Sequence, residues 1–561
     1  MLTPQTLQKL PDELVDLVNE LQIDIIRSLS KKLVKTNYLT PSAEWQLYKA
    51  GQLRLSTNEV NKLISKYTGM SKRQITQLYT DACREAINND AKIYRACGKD
   101  CSAALRSVAL SNTLKAGIRN ANGMTSNLCK SMVESSRATV THLMDKAWLK
   151  VQSGAFSYQE AIYDAVSELA SQGIAAVTYP SGHTDWADVA VRRAVMTGIS
   201  QTAGQMQLDL AAEMDCDLVE VTAHMGARPS HALWQGKVYS ISGKSKKYPK
   251  LSEATGYGTG AGLKGWNCRH DFYPFFEGIS ERANLPVDIA ENNEQYKLSQ
   301  KQRAMERSIR KSKRSLAALD GALQECSDDE LRRRLQNKFE RTSETLKLKE
   351  KRLNEFCNAN GLYEQNDRVR VVGFGRSLSQ KAVHGSNRSF VNRLKSYGIE
   401  NPPKSIDKFR EMEYTNPPEY KLMNAYIQSV KSGYMSPQVK YSLYKDTYNL
   451  IQREIVGVKT VNGIEIKGQS KHFLERFFGT MANPSDKYHK PRSGISFVDM
   501  KEALTKGDYL SPKYNKNKLN EQLYNTDGTK MRSQKFYTDK CDVTINPDTG
   551  ILIQCNPDKG G

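Results

Sequence analysis

Apolar residues recur at helical spacing through most of the first 215 positions. After Ser157 they fall at Ala161, Ile162, Ala165, Val166, Leu169 and Ala170, every third or fourth residue. Val191 to Met214 continues the pattern through Val195, Ile199, Met206, Leu210 and Met214. Ser157-Tyr158-Gln159-Glu160 and Ser56-Thr57-Asn58-Glu59 both have the spacing of a capping box, in which serine and glutamate satisfy the first free N–H groups of a helix. The spacing predicts helix starts at both places, and residues 1–215 read as a helical region.

The pattern breaks at 216. Leu218 to Ala223 and Lys237 to Ile241 predict short strands, set among Gly, Pro, Tyr and Trp. Residues 216–290 therefore form a loop-rich α+β module. Helical spacing returns over 291–357, with one stripe through Leu298, Met305, Ile309, Leu316 and Leu323. Ser327-Asp328-Asp329-Glu330 then opens a second stripe through Leu331, Leu335, Phe339, Leu346 and Leu353. This predicts an antiparallel helical hairpin with an apolar seam and charged outer faces, a solvated pair rather than a DNA-binding one.

Residues 358–456 are mixed. Arg368-Val369-Arg370-Val371-Val372 predicts a strand, Asn401-Pro402-Pro403 and Asn416-Pro417-Pro418 predict loops, and helices are expected near 419–432 and 437–455. The segment reads as a linker and a helical lead-in. Residues 457–561 read as an α+β domain with an antiparallel sheet. Asn462-Gly463 signals a tight hairpin, helices follow at about 469–482 and 496–506, and strands around Asn546-Pro547-Asp548-Thr549-Gly550 close the chain. The predicted fold class is multidomain: a mostly α N-terminal region, a small α+β module, a helical hairpin and a C-terminal α+β domain.

Composition narrows the function classes. The net charge of +21 favours polyanionic surroundings. No apolar run approaches the roughly 18 residues that span a bilayer, and no basic start followed by an apolar stretch marks a secretory signal. Synthesis in a cytoplasm, without membrane association, is the expectation. Ten cysteines without a CxxC pair fit reduced thiols; Cys97 and Cys101 are predicted on one helix.

The densest chemistry lies at 224–270, which holds three of the chain's eight histidines: His224, His231 and His270, with Arg228, Trp234, Gly258, Cys268 and Arg269. His224, His231, Cys268 and His270 could supply four ligands to a structural zinc, but their spacing fits no familiar finger. The competing reading has the histidines and Arg228 bonding loop backbone and Cys268 buried as a small residue, and it is preferred. A Cys/His nucleophile pair lacks a third orienting group. No cofactor is expected.

The same residues carry a resemblance. Ala227-Arg228-Pro229-Ser230-His231, Trp234-Gln235-Gly236-Lys237, Gly256-Tyr257-Gly258 and Asn267-Cys268-Arg269-His270 resemble the phage minor capsid protein 2 family, related to the Mu F-like head morphogenesis proteins. Val191 to Gly198 and Tyr296 to Arg310 resemble the family's flanking helices, so the resemblance covers about residues 10–375. It implies a virion protein of few copies inside a tailed-phage head, near the portal, with portal and head proteins and packaged DNA as partners. It attaches no chemistry to the 224–270 block.

The last hundred residues resemble, by pattern, the barnase–EndoU–colicin–RelE class of polymorphic toxin ribonucleases. Metal-independent RNA cleavage needs an acid, a base and a cation for the phosphorane. His472 and Arg476, four apart on one helix face, suit these roles; Lys471 and Lys535 suit phosphate, Ser496 and Thr549 hydrogen bonding, and Tyr524 and Tyr537 base stacking. The resemblance thus implies an RNA substrate for this module. No second histidine partners His472, since His489 sits in a predicted loop. The alternatives are an inactive adaptor domain on a purely structural head protein, and a basic nucleic-acid-binding protein unrelated to phage.

Overall fold

The computed structural model describes residues 2–35, 42–174, 177–178, 184–481, 491–516, 521–525 and 528–557. The chain divides into two compact units, residues 1–386 and 387–561.

The first unit is built round the helix Asp12–Val34. Its apolar residues Leu14, Leu17, Leu21, Ile25 and Leu29 are buried, and so are Asn19 and Gln22 on other faces. It therefore packs on several sides: against Ser42–Ala96, Tyr158–Gln172, Ala187–Glu213 and Ile289–Glu325. Each large aliphatic side chain buried this way contributes about 1.5–3 kcal/mol. Val108–Gln152 packs against Ser42–Ala96, Tyr158–Gln172 and Ala187–Glu213.

The capping box at Ser157 forms, with both reciprocal bonds present. The one expected at Ser56 does not: the helix Ser42–Ala96 runs straight through it. Glu59 instead accepts from Ser28 Oγ at 2.6 Å and pairs with Lys32 at 3.0 Å. That helix stops before Cys97, so Cys97 and Cys101 lie in the turn and loop beyond it.

The hairpin forms as Ile289–Glu325 and Asp329–Ala359, with Asp328 rather than Ser327 capping the second helix. Its first helix does not stand in solvent along its whole length. Leu316, Ala317, Ala318, Leu319 and Ala322 are wholly buried, and the helix packs on Asp12–Val34 and Tyr158–Gln172. The stretch expected as a strand at 368–372 is the end of a single helical turn, Asn366–Val369, and the chain beyond it.

Between 218 and 274, strand Leu218–Val221 is the centre of a three-stranded antiparallel sheet. Val238–Ser240 flanks it on one side and Phe272–Pro274, not predicted, on the other.

The second unit starts with helices. Arg376–Ser396 crosses the division, and Ile406–Thr415, Pro417–Lys431 and Tyr441–Glu454 follow. Asn416-Pro417-Pro418 starts a helix rather than breaking one: Asn416 is its N-cap, and proline fits the first turn, where its missing N–H costs nothing. The six-stranded sheet among the described residues pairs Lys513–Tyr514, Arg532–Tyr537, Cys541–Ile545 and Ile551–Pro557 antiparallel in that order. Gly468–Gln469 adds to the last strand in parallel, and Asp508–Tyr509 pairs with Arg532–Tyr537. The turn at Asn462-Gly463 forms as expected, closed by Thr460 N–H donating to Ile464 O at 2.9 Å. Helices Lys471–Phe477 and Phe497–Lys506 occupy the two predicted positions, the first much shortened.

Candidate functional site

Strand pairing assembles the 224–270 block. Val221 pairs with Phe272, so the residues just past one strand and just before the other leave the sheet side by side. Thr222 and Asp271 lock this exit: Thr222 N–H donates to Asp271 O, and Asp271 N–H to Thr222 Oγ1, both at 2.9 Å. His224 and His270 are thereby stacked, their ring centroids 4.5 Å apart. The single turn Pro229–Ala232 brings His231 to 5.4 Å from His270, and buried Trp234 packs on both rings at 4.6 and 4.8 Å.

The glycine-rich segment doubles back on itself. A Cβ on Gly262 would stand 2.0 Å from Gly256 O, so only glycine permits this backbone crossing. Gly258 has open space around it and is required instead by its φ of +92°.

Most of the ring nitrogens are engaged by neighbouring atoms, while the buried Nε2 of His224 has no hydrogen-bond partner among the described residues. His224 Nδ1–H donates to Met225 O at 3.0 Å, and His231 Nε2–H to Ala261 O at 2.9 Å. Gln235 Oε1 accepts from His270 Nε2–H at 2.9 Å and from His224 N–H at 3.0 Å. The Cys268 thiol donates to His270 Nδ1 at 3.5 Å. Burial, aided by the Arg269 charge, pushes His224 down to about 4; burial and the neighbouring His224 push His270 well below the usual histidine range. Burial also lowers His231 and raises Cys268. The imidazoles are neutral at pH 7 and the sulfur stays a thiol, which is the wrong form for a nucleophile.

His231, Cys268 and His270 place ligand atoms within 4.8 Å of one another. His224 stacks on this group and lies outside that set. Two guanidiniums border the cluster: Arg228 donates to Trp266 O, and Arg269 to Gln8 Oε1, both at 3.0 Å. This positive surrounding works against a dication, and burial works against the thiolate a metal would need.

Sequence reasoning missed two features beside the block. The first is a buried ionic network. Lys264, wholly buried, donates to Asp271 and, at 3.1 Å, to Gln207 Oε1; Gln207 Nε2 donates to Asp90 Oδ2 at 3.0 Å. The second is a cavity of about 280 Å3 whose wall holds eight arginines and three carboxylates, together with His224, His231 and His270. A signal for it existed: Arg303, Arg307, Arg310 and Arg314 recur at spacings of three and four, one face of the helix Ile289–Glu325. Burial and the Arg269 charge push Arg303 down to about 10; burial and Arg303 do the same to Arg368.

In the second unit, His472, Glu475 and Arg476 form one cluster on helix Lys471–Phe477. His472 Nδ1–H donates to Glu475 Oε2 at 3.2 Å, and Arg476 Nε–H donates to His472 Nε2 at 3.3 Å. Lys471 pairs with Glu475 at 3.4 Å, and Ser429 Oγ donates to Glu475 Oε1 at 2.7 Å. The other candidates are engaged separately. Lys535 pairs with Asp542 at 2.9 Å; it alternates with buried Gln534 and Phe536, so it points to the opposite side of the sheet from the core. Ser496 caps the helix Phe497–Lys506 and donates to Asp499 at 2.6 Å. Thr549 lies in the turn held by Asn546 Oδ1, and Tyr524 and Tyr537 are exposed. His489 lies outside the described residues.

The profile of the phage minor capsid protein 2 family matches residues 2–358. The chain belongs to this family. It is similar to a structural protein of Lactococcus phage LL-H, 30% identical over 177 residues, which cover 30% of this chain and 47% of that protein. It is also similar to a structural protein of Lactococcus phage mv4, 42% identical over 73 residues, covering 13% of this chain and 58% of that one. The chain thus spans about half the length of the curated relatives it matches. No solved structure matches it. The protein is a phage minor capsid protein and a virion component. The family match ends at residue 358, so the second unit lies outside it. No helix among the described residues is long and apolar enough to cross a membrane.

Proposed function

We propose that this capsid protein works inside the phage head, close to the portal, through assembly and charge rather than catalysis, and that its second unit is an adaptor. One observation carries the reading: most of the chemistry-bearing groups of both candidate sites are engaged in hydrogen bonds within the fold. In the first unit the histidines are neutral and bonded to neighbouring atoms, and the Cys268 thiol donates a hydrogen bond to His270. In the second, both ring nitrogens of His472 are occupied, by Glu475 and by Arg476. The +21 charge suits a place beside packaged DNA, whose phosphates attract Lys and Arg.

Two measurements test this. Intact capsids should shield the protein from added protease, and asymmetric electron-microscopic reconstruction should place its few copies at the portal vertex. Digestion on intact particles would exclude the interior. The ribonuclease reading rests on the His472–Glu475–Arg476 cluster and is tested by incubating the full chain with total RNA. No cleavage is expected. Cleavage that His472→Ala abolishes would replace the adaptor reading with an effector one.

A further inference from the structure

We propose that the arginine-lined cavity of the first unit is a binding site for a compact chain of phosphoryl groups. The proposal does not depend on where in the virion the protein sits.

Five segments distant in sequence build the wall: the N-terminal helices at Gln8 and Val15, the helix Ala187–Glu213, the 224–270 block, the helix Ile289–Glu325 and residues 367–370. At about 280 Å3 the space lies just below the roughly 300–1,000 Å3 typical of small-molecule sites, and a DNA duplex could offer it only an end.

The wall carries more positive charge than its own carboxylates balance. Asp188 is taken by Arg310 at 2.8 Å, and Glu306 by Arg368 at 3.5 Å. Arg192 and Arg370 use acids elsewhere, Asp12 at 2.6 Å and Asp16 at 3.5 Å. Four guanidiniums remain. Arg228 and Arg269 bond only neutral oxygens, of Trp266 and Gln8. Arg303 and Arg307 have no hydrogen-bond or ion-pair partner among the described residues. Nε2 of His224, buried and also without such a partner, stands in the same wall.

Packing like charges together in partial burial is unfavourable unless a counter-charge arrives. The one further carboxylate of the wall, Asp367, cannot balance four guanidiniums, so the remaining counter-charge is a ligand. Its chemistry follows from the donors. The wall contains arginine and no lysine. Guanidinium presents a planar fork of N–H groups that matches two oxygens of one phosphoryl group, whereas ammonium recognises only a point charge. Several forks around a small space fit linked phosphoryl groups better than a single monoanion. The lowered Arg303 and Arg368 values agree with a cluster held together without its anion, while leaving both groups charged at pH 7.

The test uses the purified full chain in phosphate-free buffer. Sodium tripolyphosphate, pyrophosphate, orthophosphate and sulfate are titrated by calorimetry, with thermal shift as a second readout. Tripolyphosphate should bind saturably at one site per chain, tighter than orthophosphate or sulfate. Arg303→Gln should weaken it at least tenfold, and Lys408→Gln in the second unit should not. Because Arg303 is partly buried, Arg228→Gln gives an independent variant at a more exposed residue of the wall, and circular dichroism checks that both fold. Absence of saturable binding, or binding that both cavity variants leave unchanged, would overturn the proposal. A final arm identifies the source of the phosphoryl groups. A short duplex with 5′-phosphates that competes with tripolyphosphate, where its 5′-hydroxyl twin does not, would mean that a DNA terminus occupies the site. Failure of both to compete assigns it to a free oligophosphate.

Discussion

Nε of Arg310 donates to Oδ2 of Asp188 at 2.8 Å, tying the first hairpin helix to the helix Ala187–Glu213. Asp188 is buried, and Arg314 stands 3.6 Å from the same oxygen, its guanidinium stacked on Trp186 at 4.5 Å. Burial alone would raise the Asp188 pKa, but Arg314 and Arg310 outweigh it and hold the carboxyl below its usual range. Removing the carboxylate would leave two guanidiniums buried without their acid. Asp188→Ala should therefore destabilise the first unit by about 3–5 kcal/mol, measured by urea denaturation. The depressed pKa makes the stabilisation present at neutral pH and lost as pH falls below about 4, through the folded-state value. The difference between wild type and variant should shrink in that acid range.

Asp90 should show the opposite dependence. Burial, with the Asp271 charge, pushes it up to about 7, and Gln207 is its hydrogen-bond donor. A carboxyl raised on folding stabilises the native state below its unfolded pKa, and this contribution is lost as pH rises through the folded value. Asp90→Asn keeps an acceptor for Gln207 and imitates the protonated form. The variant should match wild type near pH 4 and exceed it by on the order of 4 kcal/mol at pH 8. Denaturation across that range checks it, and a constant difference would contradict the assignment.

These two networks were invisible in the sequence, while much of the fold around them was legible. Local signals worked where local physics decides: the Ser157 capping box, the leucine stripes of the hairpin and the Asn462-Gly463 turn. They misled where packing overrides them. The serine and glutamate at 56–59 mimic a helix start inside a helix fixed by its neighbours, and Glu59 bonds Ser28 and Lys32 on another helix instead. Alternating Arg and Val at 368–372 looks like a strand, yet Arg368 O and Val369 O accept bonds from Arg310 and Lys313 of the hairpin, which fixes that chain as a turn. The 224–270 block could be found from composition. Of the cavity only the arginine spacing at 303–310 was legible, because Arg192, Arg269 and Arg368 join Arg303 only after folding.

Arg303 has the opposite energetic sign to Asp188. Without a ligand its charge is repelled by Arg269 and Arg368 and balanced only loosely by Glu306. In phosphate-free buffer Arg303→Gln should raise stability by on the order of 1 kcal/mol, seen as a higher thermal midpoint. A marked loss would show that the arginine stem, rather than its charge, dominates.

Thiol chemistry checks the reading of Cys268 as a buried hydrogen-bond donor. Nine of the ten cysteines are buried and Cys97 is half-buried. A disulfide reagent at pH 8 should modify about one thiol quickly in the native protein and the rest only on unfolding. Peptide mapping should place the fast site at Cys97. Fast labelling of Cys268 would mean an activated thiolate and reopen a nucleophilic role for the block.

Two glycines of the same loop separate backbone conformation from steric exclusion. Gly258→Ala introduces a Cβ into open space, so it should cost only the left-handed backbone penalty, about 1–2 kcal/mol. Gly262→Ala places its Cβ 2.0 Å from Gly256 O and 2.7 Å from Thr255 O, where backbone must move and no flexible side chain can yield. The crossing carries Lys264 and Cys268 into the core, so the displacement reaches the ionic network and the histidines. The loss should exceed that of Gly258→Ala by about 2 kcal/mol or more. Urea denaturation of the two variants side by side tests the order. Equal losses would mean that the loop relaxes freely and does not position the block.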